Sequence, residues 1–66
     1  MDKEKSAQLK SAKEILGEAT VFLLQQERKV SPETLYTLIS SWEKHAETEQ
    51  KPAYQEALKI LVRKMN

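Results

Sequence analysis

Residues 9–24 read LKSAKEILGEATVFLL, and this stretch decides the fold. Its apolar side chains recur at alternating steps of three and four residues, which places them on one face of an α-helix. That face is formed by Leu9, Ala12, Leu16, Ala19 and Leu23, with Ile15 and Phe22 beside it. The pattern predicts a first helix from about Ser6 to about Gln26, preceded by a charged segment, residues 1–5, that we expect to be frayed.

The last four residues of this stretch are all large and apolar: Val21, Phe22, Leu23 and Leu24. At about 100° per residue, their side chains point around most of the helix circumference. Two short helices of the same chain can cover one face of this helix but not its whole girth. Because a helix that is apolar all round is normally buried, we expect Val21, Phe22 and Leu24 to contact a second copy of the chain or another protein.

Gly17 lies inside the same helix, where a glycine costs about 1 kcal/mol relative to alanine. Gly17, Val21 and Leu24 follow one another at steps of four and three residues, on the side of the helix next to the main stripe. A glycine at that place allows a second backbone to approach closely. A glycine tolerated on an open surface explains the sequence equally well, and both interpretations stay open.

A second helix is predicted to open at Ser31-Pro32-Glu33. Serine accepts a hydrogen bond from a free backbone N–H at the helix start, and proline at the first helical position has no N–H to satisfy. The helix should end between His45 and Glu47, where a polar segment begins. Its expected buried face consists of Leu35, Leu38, Ile39, Trp42 and Ala46.

A third helix should begin near Pro52 and run to about Lys64. Its apolar face is Tyr54, Ala57, Leu58, Leu61, Val62 and Met65, and Glu56, Lys59 and Arg63 line its polar face. One glycine and two prolines do not provide the tight turns of a sheet protein. The sequence therefore predicts an all-α fold, a three-helix protomer that occupies residues 1–66 as a single domain.

The chain is short enough that its own core is marginal. A domain of 66 residues buries only about 60% of the surface of its unfolded chain. Small proteins compensate with disulfides, a metal or oligomerisation. Cysteine is absent and histidine occurs once, so we expect no disulfide, no metal site and no cofactor. Oligomerisation remains, and the long first helix predicts a homodimer.

Charge and hydropathy bear on the class of partner. Eleven basic and ten acidic residues leave a net charge of +1, and the pI of about 8.0 lies below the value of about 9 typical of nucleic-acid-binding domains. We do not expect direct DNA binding. The longest apolar run, Val21 to Leu24, is far shorter than the roughly 20 residues of a membrane span. The polar N-terminus lacks the apolar core of a signal peptide, so we expect a soluble cytoplasmic protein.

The sequence contains no arrangement typical of a catalytic site. Ser41 and His45 lie one helical turn apart, but no third residue or oxyanion hole accompanies them. Glu43 and Glu47 share a helix face, whereas His45 points about 200° away from Glu43. These residues are interpreted as a solvated surface, and we expect no enzyme activity and no catalytic residue.

Two aromatic residues of the second helix are candidates for partner contact. Trp42 is aligned with the buried face, so its first interpretation is core packing and its second a dimer or partner contact. Tyr36 lies one residue off that face and is expected to be more exposed. Large aromatic side chains dominate both cores and interface hot spots. The candidate interface residues are therefore Gly17, Val21, Phe22, Leu24, Tyr36 and Trp42.

Several segments together resemble a known family: Leu16-Gly17-Glu18-Ala19, the connector with Val30-Ser31, residues 35–43 and residues 54–61. They are similar to the YmgB/AriR family of small enteric biofilm and acid-resistance regulators, including the YcgZ-like connector proteins. The resemblance covers about residues 12–62. It implies an all-α homodimer without catalytic residues that acts on transcription by contacting a response regulator.

The expected function is that of a small non-enzymatic regulatory protein, which binds a transcription regulator and modulates biofilm or stress gene expression. Two alternatives remain. The protein could be a DNA-associated regulator of the nucleoid-modulator type, or a phage- or plasmid-encoded inhibitor of a host enzyme.

Overall fold

The computed structural model describes the backbone of residues 2–65 and the side chains of residues 11–65. Three helices make up the fold: α1, Asp2–Gln25; α2, Pro32–His45; and α3, Lys51–Met65. Each helix contacts both of the others, and residues 2–65 contain no strand. The predicted all-α class with three helices is confirmed.

The helix bounds follow the predictions closely at α2 and α3 but not at the start of α1. The α1 backbone begins at Asp2, four residues before the predicted start. Fraying of residues 1–5 stays a prediction, and Met1 lies outside the described residues. Leu9 of the predicted stripe belongs to the part of α1 whose side chains are not described.

The end of α1 is closed by a left-handed residue that is not glycine. Glu27 has φ 55°. The Glu27 N–H donates to the Leu24 carbonyl at 3.0 Å, and the Arg28 N–H donates to the Leu23 carbonyl at 2.9 Å. These two bonds form a Schellman motif, in which glycine usually occupies the left-handed position. A side chain there carries a steric cost, so Glu27 is a strained position in the fold.

The start of α2 is a reciprocal capping box. Ser31 is the N-cap, as predicted, and its Oγ accepts from the Thr34 N–H at 3.2 Å. The Thr34 Oγ1 in turn accepts from the Ser31 N–H at 2.9 Å. It also donates to the Lys29 carbonyl at 2.9 Å. Two orphan backbone N–H groups are thereby satisfied, and the cap is tied to the preceding connector.

The turn from α2 to α3 is held by a lysine from the start of α3. Lys51 Nζ donates to the Glu43 carbonyl at 2.9 Å and lies 3.7 Å from Glu43 Oε2. A cation is stabilised near the C-terminal end of a helix, where free carbonyls carry partial negative charge. Lys51, the first residue of α3, therefore offsets the partial negative charge at the C-terminal end of α2.

The core is small and contains much alanine. Among residues 11–65, only Leu23 and Ile39 are large side chains with less than 2% exposure, and Leu61 retains 5%. The other buried residues in this range are Ala12, Ala19 and Ala57. Alanines permit close helix packing but remove little apolar area from water, and stabilisation follows that area. The predicted stripe of α1 is confirmed at Ala12, Ala19 and Leu23, yet the core depends on few large residues.

The protomer exposes more surface than a compact monomer of its mass. A folded chain of 7.6 kDa exposes about 4,300 Å² by the usual scaling with mass, whereas this one exposes 5143 Å². Its extents of 39 × 26 × 17 Å describe a flat, elongated body.

Two side chains of α3 lie differently from their predicted faces. Val62, assigned to the apolar face, is 44% exposed, and Glu56, assigned to the polar face, is half-buried. Residue spacing within one helix does not specify how far a neighbouring helix covers each side chain, so neither difference could be predicted from the spacing.

Candidate protein-interaction surfaces

The first surface is a strip on α1 formed by Gly17, Val21 and Leu24, hereafter the α1 strip. Val21 is 51% exposed and Leu24 is 61% exposed. Gly17 is exposed too, and a Cβ built on it would meet nothing within 4 Å. Within the part of the chain whose side chains are described, no contact explains the glycine, and two large apolar side chains beside it are more than half exposed.

Thr20 lies between the α1 strip and the predicted apolar stripe. The Thr20 Oγ1 donates to the Leu16 carbonyl at 2.8 Å, so its hydroxyl is satisfied within the helix. Val21 and Leu24 are one turn apart, and Gly17 lies one turn before Val21. A second helix could therefore lie along the strip and approach the backbone at Gly17.

Phe22 does not belong to this strip. Its ring packs edge-to-face on the Trp42 ring, with the centroids 6.1 Å apart and the planes at 76°. This geometry is favourable for aromatic pairs. Phe22 also points about 200° away from Leu24 around the helix. The two predicted interface residues Phe22 and Trp42 therefore stabilise the contact of α1 with α2 inside the protomer, although Phe22 keeps 37% exposure.

Tyr36 is half-buried and packs against the core, so its expected exposure is only partly right. It lies at one side of a groove between α2 and α3, hereafter the α2–α3 groove, with a volume of about 490 Å³. The described lining of the groove is Tyr36, Gln55, Leu58, Lys59, Val62 and Arg63. The structure therefore places the six predicted interface residues in three separate locations.

The side chains considered for catalysis lie on the exposed surface of α2. Ser41 lines a hollow with Leu38, and His45, one turn later, lines a hollow with Trp42. The Glu43 carboxylate is near Lys51. Among residues 11–65, no group of three histidine or carboxylate side chains could hold a metal ion.

The α2–α3 groove was missed at the sequence level, where Lys59 and Arg63 were assigned to ordinary surface chemistry. The signal in the sequence was a pair of apolar residues one turn apart, Leu58 and Val62. Each is followed directly by a cationic residue, Lys59 and Arg63. That pairing predicts an apolar row next to a cationic row. Only the structure shows that Tyr36 of α2 completes the groove.

No helix within residues 2–65 has the length and apolar character needed to cross a membrane. Comparison with protein-family models, with curated proteins and with solved structures finds no match. The resemblance to the YmgB/AriR family therefore bears on the function only as a proposal.

Proposed function

We propose that this protein is a non-enzymatic regulatory protein that forms a homodimer through the α1 strip and acts by binding another protein. The observation that carries this proposal is the exposure of Val21 and Leu24 beside an unobstructed Gly17. Large contiguous apolar patches mark interaction sites, whereas single scattered apolar side chains are ordinary on a surface; Val21 and Leu24 are contiguous, one turn apart on the same side of α1. A chain whose core contains so few large residues gains the stability it lacks by burying this strip.

A second copy is the occupant that the strip suits best. In a two-fold dimer the same patch lies on both subunits and pairs with itself. Val21 and Leu24 of one copy would pack on their equivalents, with the small Gly17 allowing close approach of the two α1 helices.

The proposed partner is a transcription regulator of the response-regulator type, contacted in the cytoplasm. This part of the proposal is supported by the resemblance to the YmgB/AriR connector proteins and by the nearly balanced charge, +1 over 66 residues. Modulation of biofilm or stress gene expression would follow from that contact, because the chain would alter the activity of the regulator without binding DNA itself.

Co-expression of two differently tagged copies tests the homodimer. Each wild-type copy should co-purify with the other, and Leu24→Glu in both copies should abolish co-purification, since it places a charge in the interface. Gln26→Glu is the matched control because it adds the same charge at an exposed position about 200° around α1 from Leu24. Equal co-purification of both variants and the wild type would refute the α1 strip as the interface.

A pull-down from enteric bacterial lysate, followed by mass spectrometry, tests the partner. A response regulator recovered by the wild type supports the proposal. Recovery of a DNA-bound assembly would favour a nucleoid-modulator type of regulator, and recovery of a single host enzyme would favour an inhibitor. Either of these two results would overturn the proposed partner class while leaving the homodimer intact.

A further inference from the structure

The α2–α3 groove has an apolar floor and a cationic edge. Leu58, Val62 and Tyr36 provide apolar surface, and Val62 is 44% exposed. Lys59 and Arg63 stand along one side, both exposed. No acidic side chain belongs to the described lining, so the positive charge of this edge is not compensated within it.

The two cations form no ion pair with any side chain of residues 11–65, where the one ion pair found joins Lys51 to Glu43. Lys59 and Arg63 are one helical turn apart and so share one side of α3. Leu58 and Val62 repeat with the same spacing one residue earlier. The groove therefore presents two parallel rows, one apolar and one cationic, each with the period of a helical turn.

We propose that the α2–α3 groove binds an acidic amphipathic helix of a partner protein. A helix laid in a groove is recognised through apolar residues that repeat at three or four positions. Such residues would contact Leu58, Val62 and Tyr36, while carboxylates on the adjoining row of the same helix face Lys59 and Arg63. The stretch from Gln55 to Arg63 spans about 12 Å, enough for two turns of a bound helix.

Charge complementarity selects this occupant over a neutral or basic helix. A lysine and an arginine beside the apolar floor would repel a basic segment and attract carboxylates, and Arg63 can donate two parallel hydrogen bonds to one carboxylate. This inference rests on the proposed function, because it names the chemistry of the partner. It uses none of the residues of the α1 strip.

Fluorescence anisotropy with two labelled model peptides tests the inference. Both are amphipathic helices of about 18 residues, long enough to be partly helical alone, with the same leucine stripe. One carries glutamate beside the stripe, and the other carries lysine at those positions. Wild-type protein should bind the acidic peptide about tenfold more tightly than the basic one, and raising the salt concentration should reduce that preference.

Paired variants locate the binding site. Lys59→Gln with Arg63→Gln should weaken acidic-peptide binding about tenfold, whereas Lys44→Gln with Lys64→Gln removes the same charge outside the groove and should leave binding unchanged. For the apolar floor, Val62→Ser should weaken binding and Val30→Ser, at a similarly exposed valine, should not. Circular dichroism confirms that each variant is folded.

Equal binding of the two peptides, or equal effects of groove and control variants, would overturn the inference. The alternative outcome is that a short DNA duplex binds more tightly than the acidic peptide and that Lys59→Gln with Arg63→Gln abolishes this DNA binding. These two results together would overturn the inference and identify the groove as a nucleic-acid site. The homodimer is tested separately at Leu24. Monomeric protein that still prefers the acidic peptide would contradict the dimer alone, and dimeric protein without that preference would contradict the groove alone.

Discussion

Replacing Gly17 with alanine separates the stability of the protomer from its association. Glycine inside a helix is less favourable than alanine by about 0.5–1 kcal/mol. Because a Cβ at this position meets nothing within 4 Å in the protomer, Gly17→Ala should recover that full difference. In a domain of this size such a gain raises the melting temperature by about 4–8 °C per kcal/mol.

Association should change in the opposite direction. If two α1 helices approach each other at Gly17, the added methyl groups must be accommodated between two backbones. Overpacking of this kind costs about 1–3 kcal/mol, and 1.4 kcal/mol corresponds to a tenfold change in a dissociation constant. Gly17→Ala should therefore raise the dimer dissociation constant about tenfold or more while stabilising each protomer.

Circular dichroism melts over a range of protein concentrations measure both effects, because the melting temperature of a dimer depends on concentration. At the lowest concentration Gly17→Ala should melt above the wild type, and sedimentation equilibrium should show weaker dimerisation. Glu18→Ala provides a control on the adjacent exposed side of α1 and should not change the dissociation constant. An unchanged constant in Gly17→Ala would refute close approach and leave Gly17 as a tolerated surface residue.

Other substitutions test the fold through chemical denaturation. Glu27→Gly should stabilise the protein by about 0.5–1 kcal/mol. Glycine removes the steric cost of the left-handed backbone at φ 55°, and this gain exceeds the entropy that glycine adds to the unfolded chain. A loss of stability would contradict the Schellman assignment. Ser31→Ala should destabilise by about 1 kcal/mol through loss of the cap, and no change would show that the capping box is unimportant. Ile39→Ala should lower the free energy of unfolding by about 2–5 kcal/mol, which is a large part of the total for so small a domain. A smaller effect would mean that the core tolerates the cavity. Phe22→Ala should shift the fluorescence of Trp42, the one tryptophan of the chain, to longer wavelength, and an unshifted spectrum would contradict the aromatic pair.

The sequence predicted the helices well because their signals are local. The apolar stripe of α1 and the cap at Ser31 each depend on residues within a few turns of one another. The first four residues of α1 were not predicted to be helical, because the prediction depended on a local apolar period. Residues 2–5 include good helix formers such as Glu4 and Lys5, but they carry no apolar period, and the period was the signal that defined the helix.

The arrangement of the candidate surfaces was less accessible from the sequence. Spacing alone grouped Phe22 with Val21 and Leu24, although Phe22 packs on Trp42. That contact depends on where α1 crosses α2, which is a tertiary property. The left-handed Glu27 was hidden as well, because no glycine marked the position. The exposure of Val21 and Leu24, in contrast, agrees with the expectation that the protomer alone cannot bury the end of the stretch.

Analytical ultracentrifugation of the wild type and Leu24→Glu at tens of micromolar tests the central claim most directly. The wild type should sediment at twice its protomer mass of 7.6 kDa, and Gln26→Glu should do the same. Leu24→Glu should sediment as a monomer or lose its helical spectrum, because an unpaired charge in a buried interface costs several kcal/mol. Wild-type protein that remains monomeric at this concentration, or a Leu24→Glu variant that remains a folded dimer, would contradict the account.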